Sequence, residues 1–411
     1  MRAPYSSNDP AELLDASVID DPHPFFARVR SEHPVSRVGE TGVHMVSSWD
    51  RILEVLDREE DFSAHITGVL VRDAQGQPSI FGLPANDGTQ VIATADEPEH
   101  AVHRKLAKPR FARSRIESLE PRIRAWAREA LAPWLAAGGG DFVPVGERVP
   151  AQAVGHVLGL PEGDVERHRA WAIMGGEILA GDVNPAGLAE MASETARMAD
   201  YLGQHLQAAI VGEGGASESS LLQLLAGGVN GDQITRSEAA GIAIIMFGAG
   251  GESTSSLIGS AVRLLAENPD LAQRLRTETG LIPRFVEEVL RLEPPFKFHY
   301  RVIRRECELG GYALQPGDRL MLLWAAANRD PAVFSRPNVL QLDRKHPKHH
   351  MSFGRGAHFC VGEQLARLET RVMLEEVLAG TTGFELDSKR SPVYARSIFV
   401  RRLEELPLVL A

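Results

Sequence analysis

Cysteine is nearly missing from this chain: Cys307 and Cys360 are the only two in 411 residues. Two thiols cannot build a disulfide scaffold, and no basic-then-apolar leader with a small-residue cleavage site opens the sequence, so a reducing cytoplasm is the expected setting. Excess basic charge is missing too. A formal net charge of -11 argues against a nucleic-acid binder, where a basic domain or stripe is expected, though not against local basic patches. Long apolar runs are absent as well. The nearest, residues 239–251, stops at Glu252 and falls short of the roughly 18 residues a membrane span needs, so it reads as a core helix and the chain as one without a membrane anchor. There is no internal repeat, and the one Gly/Ser-rich patch, residues 212–220, reads as a surface loop between helices. What remains, 44% hydrophobic and 24% charged, is the composition of an ordinary globular protein.

The most informative run present is Ser352 to Gly362, which holds Cys360 in a glycine-built loop. Gly354 and Gly356 allow backbone conformations that a Cβ forbids, and Gly362 lets a flat ligand or another backbone come close. After it, Val361, Leu365, Leu368 and Val372 recur at helical spacing. Cys360 is therefore expected near a helix N-terminus, where partial positive charge and free amide hydrogens lower a thiol's pKa. By itself the residue also reads as a small buried hydrophobe.

Elsewhere the pattern is mainly α with a minor β region. The alternating run of residues 38–46 suggests a hairpin followed by a helix, and residues 62–95 show poor periodicity. Residues 98–292 are mostly helical in spacing, broken at 138–140, Pro161, Pro185 and 227–231; residues 300–323 carry turn signals of a small sheet, and 328–351 are irregular. A capping-box pattern, Thr235 with Glu238, opens a long helix that should run to about Asn268, where Pro269 discourages continuation. Inside it lie Gly250 and Gly251, each costing about 1 kcal/mol against alanine in mid-helix, so something must compensate. Glu288 and Arg291, three apart, share a helix face and can pair.

The spacing Phe353, Gly354, Gly356, His358, Cys360, Gly362, Leu365, Ala366, Arg367 resembles the haem-binding loop of the cytochrome P450 monooxygenases. The resemblance implies the cytochrome P450 fold over residues 1–411 as a single domain, with a smaller β-containing lobe from the N-terminal region and residues 295–325, and haem b between the long helix and the cysteine loop. It makes Cys360 the axial ligand of the iron, a thiolate whose electron density favours cleavage of the O–O bond. Glu288 and Arg291 match the second family signature, a buried pair braced by a further arginine, for which Arg344 is the match. The long helix is implied to open locally at Ala249 and the glycines, making room for O2. Glu252 would feed protons and Ser253 or Thr254 would supply the hydroxyl of the relay. Most relatives have threonine where this chain has Ser253, whose hydroxyl lacks the methyl that restricts χ1; the plain alternative is a serine bonded back to a helix carbonyl.

His100 and Arg104, four apart on one helix face, match a propionate-binding pair, and Arg301 and His358 match the other usual contacts. Phe353, Gly354 and Gly362 belong to the loop around the ligand. His103, off that face, is expected in solvent. His346, His349 and His350 form a weak alternative metal pattern. Substrate contacts are expected from residues 62–95, Ile245, Ala249, Phe296, Phe298, Ile398 and Phe399, mostly apolar, which implies a small lipophilic substrate; Lys297 reads as solvated. Two basic clusters, Arg104, Lys105, Lys108, Arg110, Arg113 and Arg344, Lys345, Lys348, Arg355, would steer an acidic ferredoxin, itself served by a ferredoxin reductase, to a monomeric enzyme. Rival readings are a haem-thiolate ligand sensor without turnover, and chemistry ending in desaturation or coupling. A serine hydrolase fits less well: Gly251 to Ser255 nearly spells a nucleophile elbow, but lacks its preceding strand and closing glycine.

Overall fold

The computed structural model describes residues 10–73, 75–83, 89–174, 176–181, 185–213 and 220–411. Seven helices carry the argument: α1 (Glu99–Ala107), α2 (Glu120–Ala136), α3 (Val143–Leu158), α4 (Val165–Ala172), α5 (Arg236–Ala266), α6 (Ile282–Leu292) and α7 (Glu363–Gly380). The main sheet has five strands, β1 (Val35–Val38), β2 (Val43–Val46), β3 (Phe62–Ser63), β4 (His299–Ile303) and β5 (Arg319–Leu322), in the order β1-β2-β5-β4-β3. β2 and β5 run parallel, Val43 opposite Arg319 and Val46 opposite Leu322, and the other pairs are antiparallel. The fold is thus mainly helical with a minor sheet.

α5 is the axle. Its capping box is formed in full, with Thr235 accepting from the Glu238 amide while Glu238 reaches back to the Thr235 backbone. The apolar side chains Leu257, Ile258, Ala261 and Val262 pack with α2, α3, α6 and α7 in one core, and Ile242, Ala243 and Phe247 pack with a second. By length and composition α5 could also cross a membrane; its packing on neighbours from several parts of the chain makes it a core helix here.

The implied local opening of this helix is not found: α5 is continuous through Gly250 and Gly251. Packing accounts for both glycines. A Cβ on Gly251 would stand 2.2 Å from the Ala172 Cβ, and one on Gly250 would stand 3.2 Å from Val154 Cγ2, so the glycines let α4 and α3 approach the axle. Gly227 and Gly228 likewise lie inside a helix, Leu221–Asn230, rather than at a break. Residues 62–95, unreadable by periodicity, contain an antiparallel ribbon, Gly68–Arg72 against Pro78–Gly82. Most of the Gly/Ser-rich patch lies outside the described residues.

Candidate active site

A cavity lies between α5 and the loop that leads into α7. From α5 it is lined by Ile245, Met246, Ala249, Gly250, Ser253, Thr254 and Leu257, and from the opposite side by Phe353, Gly354, Arg355, His358, Cys360, Gly362, Leu365 and Ala366. The loop has the left-handed glycines its composition predicts, Gly354 at φ 68° and Gly356 at φ 73°. The Cys360 amide donates to Phe353 O at 2.9 Å and the Gly354 amide to Met351 O at 2.8 Å, which fixes the thiol at the mouth of α7.

The thiol's pKa runs opposite to expectation. Burial pushes the Cys360 thiol up, with the Gly362 amide, Arg104 and Arg367 only opposing it. A helix N-terminus lowers a thiol's pKa where the group meets solvent; here desolvation is the larger effect. A cation bound to the sulfur would offset that desolvation and favour the thiolate. Among the described residues no three His, Cys, Asp or Glu side chains gather as a metal site, so one sulfur ligand suits an iron that brings its other ligands with it. The three-histidine alternative is set aside: His350 Nε2 lies 2.9 Å from Glu287 Oε2 and the His349 ring packs edge-on to Trp49 at 4.8 Å.

Around one edge of the cavity, polar atoms are buried without partners among the described residues: His100 Nε2, His358 Nδ1 and Arg355 Nε. Such atoms are costly when unpaired, and the carboxylates of a haem would satisfy them. The His100 and His358 rings lie 4.1 Å apart. Burial, with Arg301, His100 and Arg104 adding to it, pushes His358 down to about 3. Arg104 Nη1 donates to Phe359 O at 2.8 Å and Arg301 Nη1 to Tyr300 O at 2.8 Å. Burial lowers Arg301 to about 10. Arg355 was read from sequence as part of a surface cluster; instead it stacks on Trp49, 4.8 Å from the ring centroid, and lines the cavity. Only its place between Gly354 and Gly356 signalled this.

The relay residues diverge. Ser253 Oγ donates to Ala249 O at 2.7 Å, the back-bonded arrangement, while still lining the cavity. Thr254 is buried and lines it too. Glu252 does not: it is 1% exposed and its Oε1 lies 3.4 Å from Arg402 Nε. Burial pushes the Glu252 carboxyl up to about 7, with Arg402 the main opposing influence. Arg402 carried no sequence signal.

Of the apolar candidates, Ile245, Ala249 and Phe296 line the cavity, with Ile92 and Ala93 from the 62–95 segment. Phe298 and Ile398 do not. Side chains alternate along an extended chain, so His299 and Arg301 face the cavity while Phe298 and Tyr300 turn into the opposite core, their rings 5.2 Å apart. Ile398 packs in that same core, and Phe399 backs the wall by stacking on Phe296 at 4.6 Å. Lys297 and His103 are buried, not solvated: Lys297 Nζ donates to Ser397 O at 2.6 Å, and His103 Nδ1 accepts from the Ile92 amide at 3.2 Å. Arg110 also turns inward, donating to Val157 O at 3.2 Å.

Beneath the loop, Arg291 grips both oxygens of Glu288 at 2.7 and 2.9 Å, and Arg344 adds a bond to Oε1 at 2.8 Å. A parallel network, missed in the sequence, joins Glu287 to Arg367 of α7 at 2.6 and 3.0 Å and to His350. The two carboxylates tie α6 to the segments on either side of the cysteine loop.

A family model described as cytochrome P450 matches residues 204–392. Cytochrome P450 144 of Mycobacterium tuberculosis is 35% identical over 98% of this chain and 92% of the relative. Among solved structures, CalO2 superposes with a TM-score of 0.83 at 29% identity, covering 97% of this chain and 98% of that one. P450BioI, solved with an acyl carrier protein ligated to hexadec-9Z-enoic acid, gives 0.84 at 25% identity, covering 96% and 100%.

Proposed function

This chain belongs to the cytochrome P450 family, the haem-thiolate monooxygenases, and on that premise we propose that it inserts one atom of O2 into a small lipophilic molecule, using haem b and electrons from a ferredoxin and its reductase. The observation that carries the reading is the half-buried thiol of Cys360 facing an apolar cavity whose edge holds unpaired histidine and arginine nitrogens.

Cys360 would hold the iron, and His100, His358, Arg355, Arg301 and Arg104 would meet the propionates. Bound haem supplies O2 activation. The chain's own part is to exclude water and to bring protons. Ile245, Ala249 and Phe296 present apolar surface to the substrate, which strengthens every polar contact inside. Ser253 donates its proton to Ala249 O, so its lone pairs accept a hydrogen bond from the cavity side. Glu252, held near neutral pKa, can both take up and release a proton at working pH, the condition under which a general acid is most effective. A lipophilic substrate accords with the fatty-acyl group on the partner of P450BioI.

Lys105, Lys108, Lys345 and Lys348 are exposed, as is Phe359, the sequence neighbour of Cys360, at 39%. Such exposed lysines would steer an acidic ferredoxin toward the protein. The enzyme acts as a cytoplasmic monomer, the whole chain forming one catalytic unit. Cys360→Ser tests the reading: reduced protein under carbon monoxide should lose the spectral signature of thiolate ligation, and a serine variant that kept it would overturn the assignment. Substrate screening by the iron spin-state change, then product analysis with a ferredoxin system, tests the reaction.

A further inference from the structure

Among the described residues that line the cavity, His299 carries chemistry that the monooxygenase reading leaves unused. It opens β4 and faces the cavity with Arg301, two residues on. The indole Nε1 of Trp324 donates to its Nδ1 at 2.7 Å. A nitrogen that accepts from an indole carries no proton, so the neutral ring must carry its proton on Nε2. Burial, reinforced by the nearby Arg301 cation, pushes His299 down to about 4. The ring is therefore neutral at working pH, and it offers the cavity a donor without charge.

Two kinds of acceptor could meet that donor, a haem carboxylate or the substrate. The surroundings favour the substrate. The two guanidinium groups Arg301 and Arg355, with His358, line a second, smaller cavity as well as the first; His299 lines only the first. Its ring packs edge-on against Phe296 at 5.6 Å and Phe399 at 5.5 Å, the aromatic wall of the apolar region. Three other polar groups of that cavity are placed differently: Ser253 donates to Ala249 O, Ser352 donates to Leu290 O, and Glu369 sits on α7 beyond the cysteine. Thr254 lies on α5, not on the aromatic wall.

We propose that His299 is the specificity-determining donor of the cavity, its Nε2–H meeting a neutral acceptor oxygen, a ketone, ester or ether, on an otherwise lipophilic substrate. The inference rests on the monooxygenase reading. Trp324 is a positioning residue that selects the tautomer. A site built around one N–H discriminates against an analogue that lacks the acceptor, because the donor is then left buried and unpaired.

The test uses holoenzyme and three matched ketone and hydrocarbon pairs of increasing size, α-tetralone with tetralin as the smallest. Dissociation constants come from equilibrium dialysis between pH 6 and 9. The wild type should bind at least one ketone about tenfold more tightly than its partner, with no change in the ratio across that pH range. His299→Phe should bring the ratio to about one while keeping haem affinity. A wild type with no ketone preference in any pair, a ratio that survives His299→Phe, or a variant that loses haem with its ratio unaltered would each overturn the proposal. A measurement on the wild type stands apart from the folding of any variant. In the reduced carbon monoxide form with 15N-labelled histidine, the His299 proton should reside on Nε2 and shift with the preferred ketone but not with the hydrocarbon; a proton on Nδ1 overturns the inference. Absence of the thiolate signature in that same form would instead count against the proposed function.

Discussion

Arg402 Nε lies 3.4 Å from Glu252 Oε1, so the acid of the long helix is held from behind by a cation close to the C-terminus. Burial has raised the Glu252 pKa from the ordinary glutamate range to about 7. A carboxyl with a raised folded-state pKa adds stability that is complete below its unfolded value and is lost as pH rises through the folded one. Glu252→Gln should therefore match the wild type near pH 4.5 and exceed it at pH 8, by on the order of 3 kcal/mol, in urea unfolding. The same variant should slow turnover. Arg402→Gln removes the main force opposing the shift, and the high-pH limb of turnover should move upward.

Ser253 and Thr254 both line the cavity. Ser253→Ala should raise peroxide release relative to product by severalfold, because the hydroxyl that accepts from the cavity side is gone. Thr254→Val should change the ratio less. Peroxide and product are counted together in one assay, and unchanged coupling in Ser253→Ala would move the role to its neighbour.

Glu288 is fully buried between Arg291 and Arg344. Glu288→Ala strands two guanidinium groups and should cost about 3–5 kcal/mol, read as lower urea resistance and loss of haem retention. Arg113→Ala, at the exposed pair with Glu117, should leave unfolding unaltered.

Gly251→Ala sets propensity against packing. Alanine favours a helix by about 1 kcal/mol over glycine, yet its Cβ would stand 2.2 Å from the Ala172 Cβ, and overpacking costs about 1–3 kcal/mol. The variant should melt earlier than the wild type. Gly250→Ala, with its nearest contact at 3.2 Å on a side chain, should be milder.

The cysteine loop, the cap of the long helix and the brace beneath the loop were legible in the chain because they are local. Glycines at fixed offsets from Cys360, a capping box three residues wide and a Glu-x-x-Arg on one helix face are set by backbone geometry within a few residues, and spacing reports such geometry directly. What only the tertiary structure decided joins distant segments: Arg402 behind Glu252, Trp324 against His299, Arg355 turned onto Trp49, and Ala172 pressed against Gly251. The same holds for Lys297 and His103, charged or polar letters that folding buries beside a carbonyl and an amide, and for the Cys360 thiol, whose pKa is raised by depth despite its helix terminus. Local order specifies which groups a segment offers. Desolvation and long-range packing decide which way each points and what charge it can hold.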